Sequence, residues 1–170
     1  ELRDDVTGRF GPDVYTEFLI DFMERHSDQP FFAYYPMALS HAVSDDLDPH
    51  PPHGPNGRYM TYAEMMAELD KRVGQLVDAV DRMGLKNRTL IFFTSDNGTT
   101  KKNHIRHEGR KLINEPEISS VIRGKSLVGQ KGKFNDWGIR VPTLARWPGV
   151  VKAGSSTDIL TDCADLLPTF

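Results

Sequence analysis

A chain of 170 residues, 38% hydrophobic and 26% charged, has the size and composition of a single soluble globular domain with its own core. Its 21 basic residues against 24 acidic ones leave a formal charge of -3, which gives no global attraction to nucleic acid, and no apolar run is long enough to span a bilayer. The lone Cys163 excludes an internal disulfide and a cysteine-based zinc site, and reads as a small buried apolar residue.

Residues 1 to 11 are polar, hold Gly8 and Gly11, and read as a loop. Both chain ends, Glu1 and Pro168-Thr169-Phe170, look cut, so residues 1–170 are expected to be one part of a longer domain. Pro12 suits the first turn of a helix, because the amide it lacks would be unpaired there anyway. Tyr15, Phe18, Leu19, Phe22 and Met23 then fall at helical spacing on one face, and Asp28-Gln29-Pro30 ends the helix. Phe31-Phe32-Ala33-Tyr34-Tyr35 has the length and apolar character of a strand buried on both faces. Residues 36 to 60, with five prolines, form a long irregular segment of the kind that often carries function.

Thr61 with Glu64 predicts a capping box, and Tyr62, Met65, Met66, Leu69, Val73, Leu76, Val77 and Val80 repeat at helical spacing up to a C-terminal cap at Gly84. That stripe is core packing. Thr89 to Thr94 reads as a second buried strand running into Ser95-Asp96-Asn97-Gly98. Residues 99 to 130 carry no clear period. A further strand is expected within Arg140 to Trp147, a turn at Pro148-Gly149, and a short strand or helix between Asp158 and Phe170. Alternating strand, helix and strand predicts an α/β fold with a mainly parallel sheet flanked by helices.

Three segments carry chemistry. Asp96 and Asn97 follow the expected strand directly, where open α/β sheets bind ligands. A carboxylate beside a carboxamide offers hard oxygens suited to calcium or magnesium rather than zinc, although Asp, Asn and Gly also make ordinary turns. His41 lies just beyond the aromatic run and can donate a proton or bind an anion, or simply sit in a solvated loop. In Gly129-Gln130-Lys131-Gly132-Lys133, glycines flank a lysine whose compact charge suits an oxyanion. The basic residues from Lys101 to Lys111 either border the site, attracting a polyanion, or form a solvated loop. His50 and His53 lack convincing ligand partners.

In combination, Phe-Phe-x-Tyr-Tyr…His, Thr-Ser-Asp-Asn-Gly, Lys-Gly-x-Phe-x-Asp-x-Gly-Ile-Arg-Val-Pro…Arg-Trp-Pro-Gly and the closing Asp165-Leu166-Leu167-Pro168-Thr169 resemble the sulfatase family over most of residues 12 to 170. The resemblance implies an alkaline-phosphatase-like α/β fold and sulfuric ester hydrolysis. It implies a calcium ion, ahead of magnesium, held partly by Asp96 and Asn97. It gives His41 and Lys131 contact with the sulfate or its leaving oxygen, with Lys133 the less favoured lysine and Arg140 structural. It implies a formylglycine nucleophile made within a Cys/Ser-x-Pro-x-Arg motif, which is absent from these residues, since Ala164, Asp165 and Leu166 follow Cys163. That segment, with an early aspartate pair for which Asp4-Asp5 stands in the wrong context, is expected upstream, so the 170 residues alone should be inactive. A sulfate ester substrate, including a sulfated glycan, and a periplasmic or secreted location follow from the same resemblance. The chain departs from the family at Val43, where many relatives have proline, and at Asp136-Trp137-Gly138, where Glu-Gly-Gly is usual; Trp137 is expected to pack. Two competing readings are a phosphodiesterase or phosphonate hydrolase of the same superfamily, and a non-catalytic anion-binding paralogue.

Overall fold

The structure is a computed structural model, and it describes residues 4–6, 9–41, 61–108 and 111–170. Helix α1 (Gly11–Arg25) begins with a proline in its first turn, as its sequence predicts. Helix α2 (Tyr62–Arg82) opens with the expected capping box: the Glu64 amide donates to Thr61 Oγ1 at 3.2 Å and the Thr61 amide to Glu64 Oε2 at 2.9 Å. It closes with the Leu85 amide reaching back to Val80 O at 3.0 Å and the Gly84 amide to Asp81 O at 3.1 Å. Those bonds satisfy carbonyls that the helix end leaves open, and they bring buried Leu85 against buried Val80.

The two helices meet around Met23, Ala79, Val80 and Leu85, with Ile20, Phe22, Phe31, Leu76, Met83 and Ile91 packed on them. The buried face of α1 is only partly the one that the spacing suggests: Met23 is buried and Phe22 packs on the core, but the face is rotated toward Thr16. Thr16 and Met23 are buried, whereas Tyr15 and Phe18 stay 62% and 55% exposed. Arg72 of α2 accounts for this rotation. It is buried, pairs with Asp13 and with Glu68 at 3.0 Å, donates to Gln75 Oε1 at 3.2 Å, and lies 5.9 Å from the Phe10 ring centroid. A buried guanidinium must meet carboxylates, and turning Asp13 toward it turns Thr16 inward.

Strand β1 (Ile91–Phe93) falls within the expected segment. Strands β2 (Asn103–Glu108) and β3 (Lys111–Glu115) pair with each other, as do β4 (Ser119–Ile122) and β5 (Lys125–Val128). Helix α3 (Asp136–Ile139) is a single turn, β6 (Leu144–Arg146) pairs with β1, and α4 (Leu166–Thr169) follows a short 3₁₀ turn at Cys163–Asp165.

The expected mainly parallel sheet is not what the described residues form. They make three two-stranded sheets, each antiparallel. Phe31 to Tyr35 forms no strand; Phe31 faces the core while Phe32 and Tyr34 are 75% and 79% exposed. An aromatic run specifies a tendency to be covered, but a strand also needs a neighbour to exchange hydrogen bonds, and none is present among the described residues. The two hairpins occupy the stretch that shows no clear period in the sequence. At Arg123-Gly124 both residues are left-handed (φ 50° and 77°), the backbone that a two-residue hairpin loop needs. Cys163 is exposed rather than buried, because none of the described residues covers the 3₁₀ turn that it opens. Among the described residues, no helix is long and apolar enough to cross a membrane.

Candidate functional site

Strand β1 aims the chain at the candidate site. Ile91 pairs with Arg146 and Phe93 with Leu144, and the pairing continues through a 3.2 Å hydrogen bond between the Thr94 and Thr143 hydroxyls. Arg146 fixes this pair to α2 through Asp81, at 2.8 and 2.9 Å, and Trp147 Nε1 donates to Asn87 O at 3.1 Å. The residues that follow Thr94 therefore leave a strand anchored at its side and at its base.

In the turn after Thr94, Asp96 Oδ1 accepts from the Asn97 amide at 2.9 Å and from Ser95 Oγ at 3.4 Å, and Asn97 Nδ2 donates to Gly98 O at 3.1 Å. Asp96 Oδ2 and Asn97 Oδ1 accept no hydrogen bond among the described residues. Each side chain is thus held by one of its polar atoms and offers the other. Two hard oxygens from adjacent residues fit a calcium or magnesium ion in kind; calcium takes six to eight such ligands. Among the described residues, no group of three or more His, Cys, Asp or Glu is gathered for a metal.

Lys131 lies in a tight turn closed by the Lys133 amide on Gln130 O at 3.0 Å, with Gly132 at φ 84° supplying the left-handed position. Its own amide donates to Thr99 O at 2.9 Å, and the Gly98 amide donates to Gly138 O at 2.9 Å. The Gly138 amide in turn donates to Asn135 O at 2.9 Å. The Asp96–Thr99 segment and the Gln130–Gly138 loop are therefore bound to each other at two points, one near each end of the loop. Glycine is required at the seam. A Cβ on Gly98 would come within 2.8 Å of Gly138 O, and one on Gly138 within 2.8 Å of Gln130 O.

His41 is tethered less directly. Its neighbour Ser40 donates from Oγ to Tyr62 at 3.1 Å and accepts at its carbonyl from Asn103 Nδ2 at 3.4 Å. Asn103 is fully buried, touches Met65 Sδ at 3.7 Å, and opens the strand that follows the Asp96–Lys102 stretch. The fold thus couples Asp96, Asn97 and Lys131 through the backbone and brings the His41 segment against the base of β2. His41, Asp96, Lys131, Lys133 and Arg140 are exposed, and Asn97 and Trp137 are half-buried. Of the basic stretch, Lys101 and Lys102 are exposed and Lys101 pairs with Glu117 at 3.7 Å; the side chains of His104 to Lys111 lie outside the described residues, as do Val43, His50 and His53. A groove between the long helices, lined by Ile20, Gln75, Asp78 and Arg82, contains none of the candidate residues.

Sequence reasoning passed over Asn135, whose side chain caps α3 and also reaches Gln130. The available signal was an Asn three residues before Gly138, the pattern of a capped turn.

Comparison with known proteins places this architecture. The family model described as Sulfatase matches residues 10–170. The chain is 32% identical to steryl-sulfatase of Rattus norvegicus over 154 residues, covering 88% of the chain and 24% of that protein. It is 34% identical to arylsulfatase A of Bos taurus, covering 91% and 27%, and 31% identical to N-acetylgalactosamine-6-sulfatase of Homo sapiens, covering 92% and 27%. The chain thus spans about a quarter of the length of these relatives. Among solved structures, the crystal structure of Ps i-CgsB superposes with a TM-score of 0.50 at 27% identity, over 84% of this chain and 29% of that one.

Proposed function

The chain belongs to the sulfatase family, and on that premise we propose that the intact protein hydrolyses sulfuric esters. The observation that carries the proposal is the double backbone attachment of the loop carrying Lys131 to the Asp96–Thr99 segment, Lys131 on Thr99 and Gly98 on Gly138. A backbone that ties the turn of a lysine to a pair of hard oxygens suits the joint needs of a tetrahedral anion and its metal.

In this reading Asp96 Oδ2 and Asn97 Oδ1 hold part of the shell of a calcium ion, with further ligands from outside the described residues. When bound, that ion supplies charge that polarises the sulfate. The nucleophile, a formylglycine hydroxyl, belongs to a part of the intact protein outside these 170 residues, which contain no Cys/Ser-x-Pro-x-Arg motif. Lys131 Nζ binds non-bridging sulfate oxygens, where its charge counts for more as negative charge spreads in the transition state. His41 donates a proton to the departing oxygen. The Lys133 amide bonds within the loop, to Gln130 O, whereas that of Lys131 reaches Thr99 beside the Asp96–Gly98 turn, so Lys131 is the favoured sulfate ligand.

The same reading completes the fold as an alkaline-phosphatase-like α/β domain with a mainly parallel sheet. Its support is the uncovered aromatic side chains of Phe32 and Tyr34, a surface that a neighbouring strand would cover. A sulfated glycan lies within the substrate class, given an N-acetylgalactosamine-6-sulfatase among the relatives and the exposed Lys101 and Lys102 close by in the chain.

Rates of the intact protein on an aryl sulfate and on an aryl phosphate diester test the proposal. Sulfate release should dominate. Preferential diester hydrolysis would move the protein to a phosphodiesterase activity, and anion binding without turnover would make it a non-catalytic relative.

A further inference from the structure

The loop that carries Lys131 is braced by a side chain outside the metal and sulfate assignments above. Asn135 Nδ2 donates a 2.6 Å hydrogen bond to the side-chain oxygen of Gln130, the residue directly before Lys131. The other end of the same carboxamide, Asn135 Oδ1, accepts from the Trp137 and Gly138 amides at 3.2 and 3.1 Å. Gly138 is also the residue whose carbonyl receives the Gly98 amide. One planar group therefore spans the gap between the lysine turn and the strap holding the Asp96–Gly98 turn. Following the contacts in order, Gly98 binds Gly138, Gly138 binds Asn135, Asn135 binds Gln130, and Lys131 binds back to Thr99.

A lysine side chain is long and loosely held, so the place of its ammonium depends on where the backbone beneath it is fixed. The amide of Lys131 is held at one point, on Thr99. The Gly129 amide, on Ile118 O at 3.0 Å, holds the start of the loop, and the Asn135–Gln130 bond adds a link from its far side to the residue beside Lys131. We infer that Asn135 is a positioning residue for Lys131. Its carboxamide sets the separation between the lysine turn and the oxygens of Asp96 and Asn97, so that ammonium and metal ligands address one sulfate group. The inference rests on the reading of Lys131 as a sulfate-binding residue.

The test uses the intact protein, an aryl sulfate as substrate and inorganic sulfate as a competing ligand. Asn135→Ser keeps a hydroxyl for the Trp137 and Gly138 amides but is too short to reach Gln130. It should lower kcat/KM by roughly tenfold to a hundredfold, the scale of a displaced catalytic contact, and weaken inhibition by sulfate in parallel. Asn135→Asp should recover most of that loss, because the Gln130 amide can rotate to donate to the carboxylate. The decisive comparison is Asn135→Ser made in a Lys131→Ala background. If Asn135 acts through Lys131, the second substitution there changes the rate by less than about twofold, since its effect has already been removed. Full activity in Asn135→Ser, or penalties that multiply in the double variant, overturns the role of Asn135 and leaves the assignment of Lys131 standing. An undiminished rate in Lys131→Ala overturns both.

Discussion

At Asp96 and Lys131, chemistry depends on which atoms the fold uses and which it offers. Asp96 spends Oδ1 on the Asn97 amide and Ser95 hydroxyl, and Asn97 spends its nitrogen on Gly98 O. The turn is thereby rigid without consuming the outer oxygens. Asp96→Ala removes one charged ligand, so calcium affinity of the intact protein should fall; unchanged affinity by titration calorimetry would rule out a metal at this turn. Lys131 and Lys133 offer the same ammonium two residues apart, and differ in the backbone bond to Thr99. Lys131→Ala should lower kcat/KM by about a hundredfold, as loss of one transition-state contact does. Lys133→Ala should cost far less, and the opposite ranking in steady-state kinetics would exchange their roles.

The two long helices show how a polar group can set the packing of an apolar one. Arg72 joins α2 to α1 through Asp13, with Glu68 and Gln75 on its own helix as further partners of its terminal nitrogens. Arg72→Ala leaves two half-buried carboxylates without their cation and should destabilise the domain by about 2 kcal/mol. That loss reads as a lower urea midpoint at unchanged slope, and a shift below about 1 kcal/mol would mean that the carboxylates find water instead. Tyr35 forms a second link, its hydroxyl lying 3.4 Å from Thr16 Oγ1 and 3.5 Å from Pro12 O. Burial, the largest influence, raises its pKa above the ordinary 10.0, against the lowering effects of the Thr16 hydrogen bond and Arg72. Its folded form therefore holds the phenol proton more tightly than the unfolded chain does. The sign follows: this contribution to stability is intact below pH 10 and is lost as pH rises through the folded-state value. Urea midpoints measured from pH 8 to 11 should fall more steeply for the native sequence than for Tyr35→Phe, and parallel curves would remove Tyr35 as the source.

Across the described residues, the buried apolar side chains other than Ile118 gather in two small clusters, one where α1, α2 and β1 meet and one around Met65. Much larger apolar groups remain in water, including Phe32, Tyr34, Leu144, Leu160 and Leu167, each at least 65% exposed. Exposed apolar surface on this scale seeks cover. The 170 residues by themselves should bind a hydrophobic dye and associate with rising concentration, and they should release no sulfate from an aryl sulfate. A monomer indifferent to dye at high concentration would mean that these side chains are covered in solution.

Local rules were readable wherever neighbours along the chain decide the outcome. The Thr61–Glu64 capping box, the Gly84 stop, the turn after Thr94 and the glycine-flanked lysine all follow from groups a few residues apart. So does the family, because its motifs are short contiguous blocks. Tertiary structure decided what depends on partners distant in sequence: the burial of Arg72, the face of α1 turned inward, the antiparallel pairing of β1 with β6, and the bonds from Gly98 to Gly138 and from Lys131 to Thr99 that join the two loops. A periodic stripe announces that a face will be covered, while its covering group is chosen by charge and hydrogen-bond satisfaction across the fold, which spacing along one segment does not encode.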